Sequence, residues 1–413
     1  MQEGFPQGSR FIEPKRITDP LTIPKPIHAL LEANENYRRR YLKEKNIRNK
    51  WLASHLLEPI IDGCVDGRNN DLGPAFGEFA GVPLGVITVN RTAGAKGIAG
   101  SFGTCRLERD RVHGLTKKDR IALRILLAHY SATNPQTASC AAWNHDTAAA
   151  VASVRNSADV LNWCFGGQAI AIHGLMNTDD DSVVIYGPAG ELDTRQLADA
   201  DATTEAIAER LETVFPANRL PASGLYKQYR PIFYREFGEL LHFNTLYVKH
   251  VLQTKRPLEM IDNHQELAIC VGRHFDWIVK YNSVFLISEA NRDLEGDFLI
   301  ALRYTAKNVV IQAVKNNRRD FAVPVLVNVP YNGKAPGNDE RITQVFVRNL
   351  RERLAAAAAE ANKAVVYWLL CGDHGLPSGC KPEWVRQRLL AGIPIDWCAS
   401  VSNRANRLFI PFI

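Results

Sequence analysis

The sequence predicts an α/β protein built around a largely buried parallel sheet. Short runs of aliphatic and β-branched residues each end in a polar or glycine-rich loop, and helical stretches such as Asp146 to Trp163 separate them. In addition, residues able to do chemistry fall where these runs end, which is where open α/β sheets collect their functional groups.

Residues 1 to 26 carry Pro6, Pro14, Pro20, Pro24 and Pro26 and read as an extended arm. From Pro26 to about Leu57 a helical pattern follows, with Leu30, Leu31, Tyr37, Tyr41, Trp51 and Leu56 among many charges. Arg38, Arg39, Arg40, Lys43, Lys45, Arg48 and Lys50 make it the most basic stretch. It reads as a solvated helix face, with a docking surface for an acidic partner as the alternative. The expected strands are then Pro59–Ile61 leading into Cys64, Leu84–Val89 ending at Asn90-Arg-Thr-Ala-Gly94, Ile121–Leu127 ending at His129, Ala169–Leu175 and Val183–Tyr186. Cys140 is placed in a loop ahead of a helix over Ala141 to Val154. An aromatic-rich helix covers Tyr226 to Thr254. From Leu267 onward the pattern resumes with strands at Val284–Ser288, Val323–Val329 and Val365–Cys371, and an alanine-rich helix at Val345–Lys363. The segment ending Val329-Pro330-Tyr331 echoes the one ending Ala128-His129-Tyr130, so a second copy would carry Pro330 where the first carries His129.

At 413 residues the chain can bury a large core, and 46% hydrophobic with 23% charged residues is an ordinary globular composition. A net charge of +6 is too mild for a dedicated nucleic-acid binder. The start lacks a charged segment leading into an apolar one, so no signal peptide is expected. Apolar stretches such as Ala364 to Cys371 are too short to span a bilayer. A cytoplasmic protein without membrane contact is the expectation. Eight cysteines over so long a chain make no disulfide framework, and some of them are candidate metal ligands.

The chemistry-bearing set is Cys64, His129 and Cys140. Two thiolates and one imidazole suit Zn2+, one per chain, and three protein ligands rather than four leave a coordination position for water. Cys64-Val-Asp66-Gly-Arg68 attaches an acid and a base to the first ligand. Asp66 can accept a hydrogen bond from the activated water, and Arg68 can clamp Asp66 in a bidentate pair, keeping it ionised and off the metal. The other candidates read as bystanders. A helix would turn His145 away from Cys140. Cys105 and Cys164 read as small hydrophobes. Cys371, His374 and Cys380 fit no common metal spacing, and Gly94 to Ser101 lacks the ending of a phosphate loop.

Cys64-Val-Asp-Gly-Arg68 matches the C-x-D-x-R signature of the β-class carbonic anhydrases, and Val86 to Gly94 resembles the strand and loop that follow it there. The ordinary spacing in that class is H-x2-C, whereas ten residues separate His129 from Cys140. This departure resembles the carboxysome shell carbonic anhydrase group, as do the alanine-rich stretch after Cys140 and Pro324 to Gly337. The resemblance covers roughly residues 59 to 345. It implies a zinc lyase that hydrates carbon dioxide reversibly to bicarbonate and a proton, in the service of carbon fixation. By position, Cys64, His129 and Cys140 are the ligands, Asp66 and Arg68 the dyad, and His264 a histidine near the metal.

The implied organisation is an arm and helix over residues 1–58, a zinc domain over 59–262, and over 263–413 a degenerate copy that stands in for a homodimer partner. A homodimer or higher homo-oligomer of the fused chain is expected. The resemblance also raises carboxysome components as partners and the carboxysome as a location; the short helical region ahead of the zinc domain, which carries partner contacts in those relatives, weighs against both. Two rivals stay open: a hydrolase of carbonyl sulfide or carbon disulfide on the same site, and a non-catalytic zinc scaffold.

Overall fold

The computed structural model describes residues 36, 39–41, 43–69, 71–95, 120–165, 169–217, 224–254, 266–272, 284–288, 294–316, 323–331, 349–350, 352–359, 365–373, 397–401 and 407–411. Helix α1 (Lys45–Ser54) leads into the first sheet. That sheet comprises β1 (Leu57–Gly63), β2 (Thr88–Arg91), β3 (Ile121–Tyr130), β4 (Ala169–Asn177), β5 (Val183–Gly187) and β6 (Gly190–Asp193), in the order β2-β1-β3-β4-β5-β6. Strands β2, β1, β3 and β4 run parallel, and β5 and β6 add an antiparallel edge. The protein is therefore mixed α/β with a parallel-rich sheet rather than an all-parallel one. The antiparallel turn arises because only residues 178–182 join β4 to β5, too few for a crossover.

Both faces of this sheet are covered, which is why β1 and β3 read as near-continuous apolar runs. Helix α2 (Leu72–Ala75) lies between β1 and β2, and α3 (Thr147–Phe165) between β3 and β4. Ala150, Val154, Ala158 and Leu161 of α3 pack with Ile60, Ala122, Leu126 and Ala128 on one face. On the other face lie α4 (Thr194–Asp199), α5 (Thr204–Val214) and the long α6 (Gly224–Gln253), whose Phe233, Phe237 and Leu241 cover Ile61, Leu123 and Ile125. Glu236 of α6 fixes that helix to the start of β1 by accepting the Leu56 and Leu57 N–H groups at 3.0 and 2.7 Å.

A second sheet contains β7 (Ala268–Gly272), β8 (Val284–Ser288), β9 (Val323–Tyr331) and β10 (Val365–Asp373), all parallel. Its order, β8-β7-β9-β10, repeats the β2-β1-β3-β4 order of the first. In both, the third strand ends on a tyrosine, Tyr130 or Tyr331, preceded by His129 or Pro330. Helix α7 (Leu294–Lys315) lies between β8 and β9 and buries Leu294, Phe298, Ala301 and Leu302 against this sheet. Residues 352–359 are helical, within the alanine-rich stretch. Strands β11 (Trp397–Val401) and β12 (Arg407–Pro411) form a separate antiparallel pair. Among the described residues no helix is long and apolar enough to cross a membrane.

The basic stretch at the N-terminus is not uniformly a solvated face. Arg48 is buried, donates to the Tyr41 and Leu84 carbonyls at 3.1 Å, and lies 3.5 Å over the Tyr41 ring. It packs the helix down and is not available to a partner.

Candidate metal centre

Each candidate ligand is delivered by a different element. Cys64 follows the last residue of β1, His129 is the penultimate residue of β3, and Cys140 immediately precedes a short 3-10 turn at Ala141–Trp143. Adjacent parallel strands put Cys64 and His129 at the same end of the sheet. The ten residues between His129 and Cys140 return the chain to that point as a pinned loop. The Ser131 hydroxyl donates to Asp179 at 2.8 Å, Asp179 also accepts the Thr133 N–H at 2.8 Å, and Ala138 N–H donates to Asn134 at 2.9 Å.

Possible ligand atoms of Cys64, His129 and Cys140 all lie within 4.8 Å of one another, and all three residues are buried. The two sulfurs are 3.9 Å apart. Two zinc–sulfur bonds of about 2.3 Å at the tetrahedral angle would set them about 3.8 Å apart. Neither ring nitrogen of His129 has a hydrogen-bond partner among the described residues, although the ring is fully buried. A buried imidazole without a hydrogen bond is costly, and a cation among the three atoms would satisfy one of its nitrogens. Two soft thiolates and an imidazole are a donor set for zinc. The residues present therefore fit a zinc ion.

The Cys140 thiol against Cys64, with the His129 ring adding to it, holds the Cys64 thiol well below its ordinary range. Gly94 N–H also donates to the Cys64 sulfur at 3.3 Å. Gly94 has φ 67°, and a Cβ there would come within 2.3 Å of the Trp143 indole nitrogen. The position thus needs glycine for both its backbone and its neighbour. Gly94→Ala is expected to displace this turn and weaken metal binding about tenfold or more, measured with zinc by competition with a chromogenic chelator.

Asp66 and Arg68 form a buried bidentate pair. Nε of Arg68 donates to Oδ1 at 3.0 Å, and Nη2 donates to Oδ2 at 2.5 Å. The Arg68 backbone N–H adds a bond to Oδ1 at 2.9 Å. Burial alone would weaken the Arg68 charge, but Asp66, aided by Glu266 and Cys64, outweighs it and holds the guanidinium above its ordinary range. The remaining arm of the fork donates to the Ala138 carbonyl, tying the dyad to the loop that carries Cys140. Oδ2 of Asp66 sits 3.7 Å from Nε2 of His129, beside the ligand atoms but held by the arginine.

All five motif residues converge. His264 lies outside the described residues; Glu266, two positions on, is buried and close enough to favour the Arg68 charge. His145 is not on a helix: Asn144 and His145 take φ 50° and 64°, so the long helix starts only at Thr147, capped by Asp146. Its Nδ1 bonds the Ser139 carbonyl at 2.9 Å. Cys164 is exposed on α3. Cys105, His374 and Cys380 lie outside the described residues, as do residues 96–101 of the rejected phosphate loop.

Arg91, the last residue of β2, has a task that its place in the sequence does not reveal. It is buried, and it donates to the Cys64 carbonyl at 3.1 Å and to the Asn69 carbonyl, bracketing the loop that carries the dyad. Burial lowers its pKa to about 10, against the pull of Cys64, Asp66 and Asp71. Gly63 leaves room chiefly for Leu72, whose Cδ1 a Cβ there would meet at 2.4 Å, and secondarily for Arg91, whose Nη1 would lie at 3.2 Å.

The site lies where the two sheets meet. Cys64, Val65, Ala93 and Cys140 pack in one apolar cluster with Phe285, Phe298 and Leu302 of the second half. Leu286 N–H of β8 donates to the Val65 carbonyl at 3.2 Å. No protein-family model matches the chain, and no curated protein matches it at a significant level.

Proposed function

We propose that the chain is a zinc-dependent carbonic anhydrase of the β-class type, interconverting carbon dioxide and water with bicarbonate and a proton. The observation that carries this reading is the placement of Asp66. A structural zinc site would close itself with a fourth ligand. Here the Asp66 carboxylate, 3.7 Å from His129 Nε2, is instead locked to a buried arginine.

Cys64, His129 and Cys140 would hold the ion, which when bound lowers the pKa of a water from about 15.7 to about 7 and so supplies hydroxide at neutral pH. The chain's own residues do the rest. Asp66 accepts a hydrogen bond from the attacking oxygen and aims its lone pair at the carbon of carbon dioxide. Arg68 keeps Asp66 ionised and fixed. The proton released leaves to buffer. The second half, with its matching strand order and Pro330 in place of His129, is read as a related copy that has lost the metal. A fused partner of this kind suits a site built on the seam between halves.

Zinc-loaded protein is expected to accelerate carbon dioxide hydration, with one zinc per chain. Chelation removes the activity and zinc restores it. Loaded protein that does not accelerate hydration sinks the proposal. The same preparation tested on carbonyl sulfide and carbon disulfide separates the sulfur-hydrolase reading, because the site chemistry is shared.

A further inference from the structure

The second half gives the metal centre more than an apolar wall. Asp297 stands in the first turn of α7 and is fully buried, beside Leu294 and Phe298, which face the second core. A carboxylate in such a place is expensive unless donors meet it. Its Oδ2 accepts the N–H of Ala93 at 2.6 Å, from a loop in the other half of the chain. The next amide along, Gly94 N–H, is the one that donates to the Cys64 sulfur. Two consecutive amides of one tight turn are thus committed, the first to a carboxylate of the second half and the second to a metal-ligand sulfur. Trp143, three residues past Cys140, presses on the same turn, its indole nitrogen against Gly94.

We propose that Asp297 is a positioning residue for the metal centre, holding the Ala93–Ala95 turn so that Gly94 N–H points at Cys64 Sγ. The hydrogen bond from Gly94 draws charge from the thiolate and fixes the direction of its lone pairs. Outer partners of this kind typically change metal affinity about 10- to 100-fold when removed. An apolar side chain would satisfy the packing of α7 at this point but could not accept the Ala93 N–H. The inference rests on the zinc reading above. It assigns to the second half a definite task in that reading: setting the electronic environment of a ligand it does not itself carry.

The test uses the full chain carrying Asp297→Ala or Asp297→Leu, with zinc affinity measured by chelator competition and the thiolate-to-cobalt charge-transfer band recorded after cobalt substitution. Both variants are expected to bind zinc about 10- to 100-fold more weakly and to show a displaced band. Asp297→Asn, whose amide oxygen still accepts, is expected to return affinity to within a few-fold of wild type, with a smaller displacement. Wild-type affinity together with an unmoved band in the alanine or leucine variant overturns the proposal. Should neither of these variants fold, Asp297→Asn decides: a displaced cobalt band supports the role and an unchanged one overturns it. Wild-type protein that binds zinc yet hydrates no carbon dioxide overturns the proposed activity alone, because these readouts do not require turnover. Wild-type protein that binds neither zinc nor cobalt overturns both.

Discussion

Arg68→Ala is expected to keep zinc and lose carbon dioxide hydration by about 10²- to 10⁴-fold, the range typical of positioned groups in catalysis. In the folded chain Arg68 contributes both oxygens' partners to Asp66 and is itself almost wholly buried. Removing it leaves a carboxylate at 2% exposure with its counter-charge gone. Such a group costs about 3–5 kcal/mol when a buried pair is broken. The cheapest relief is the nearest cation, and Oδ2 already stands 3.7 Å from a ligand nitrogen. A bound zinc would therefore draw Asp66 in as a fourth ligand, so the metal stays and the position for water closes. Arg68→Lys keeps the charge but not the fork, and should recover only part of the activity. The measurement is zinc content beside stopped-flow hydration for each variant. Near-normal hydration in Arg68→Ala would remove the gating role.

The candidate metal centre was legible because its residues are of metal-binding types set at readable intervals. Cys64, Asp66 and Arg68 alternate along one short segment, and His129 and Cys140 bracket one loop. What could not be read is carried by backbone groups and by contacts remote in sequence. The Ala138 carbonyl that anchors Arg68, and the Gly94 amide on Cys64, leave no mark on side-chain spacing. Asp297 is separated from Ala93 by 204 positions and reads in sequence as an ordinary acidic residue in a helix's first turn. The same division applies to the fold. Apolar runs announced β1, β3, β4, β8, β9 and β10, but the direction of Val183–Tyr186 is carried by the short link from Leu175, too brief for a crossover, and a reading of the runs alone misses the antiparallel edge. The alanine-rich stretch after Cys140 suggested a helix from Ala141. The left-handed Asn144 and His145 break it, and a non-glycine residue in that conformation is set by tertiary packing more than by composition.

Arg124→Leu is expected to cost about 3–5 kcal/mol of folding stability without touching any ligand. Arg124 lies in the middle of β3 with no exposure, and it donates from Nε and Nη2 to Asp62 of β1 at 2.9 and 2.7 Å. Asn90 of β2 adds a third donor to Asp62 at 3.1 Å. The network thus crosses three adjacent parallel strands, and the chain at their ends carries Arg91, Cys64 and His129. Leucine at 124 would leave Asp62, at 1% exposure, with Asn90 but without its counter-charge. Replacing both partners removes the stranded charge, so Arg124→Leu with Asp62→Leu should recover most of the loss. Urea unfolding of the zinc-loaded wild type and the single and double variants checks both statements. A single variant within about 1 kcal/mol of wild type would mean that water reaches the pair. A double variant as unstable as the single would instead make the ion pair indispensable to the alignment of β1 on β3, where Ile60 faces Arg124 and Asp62 faces Leu126.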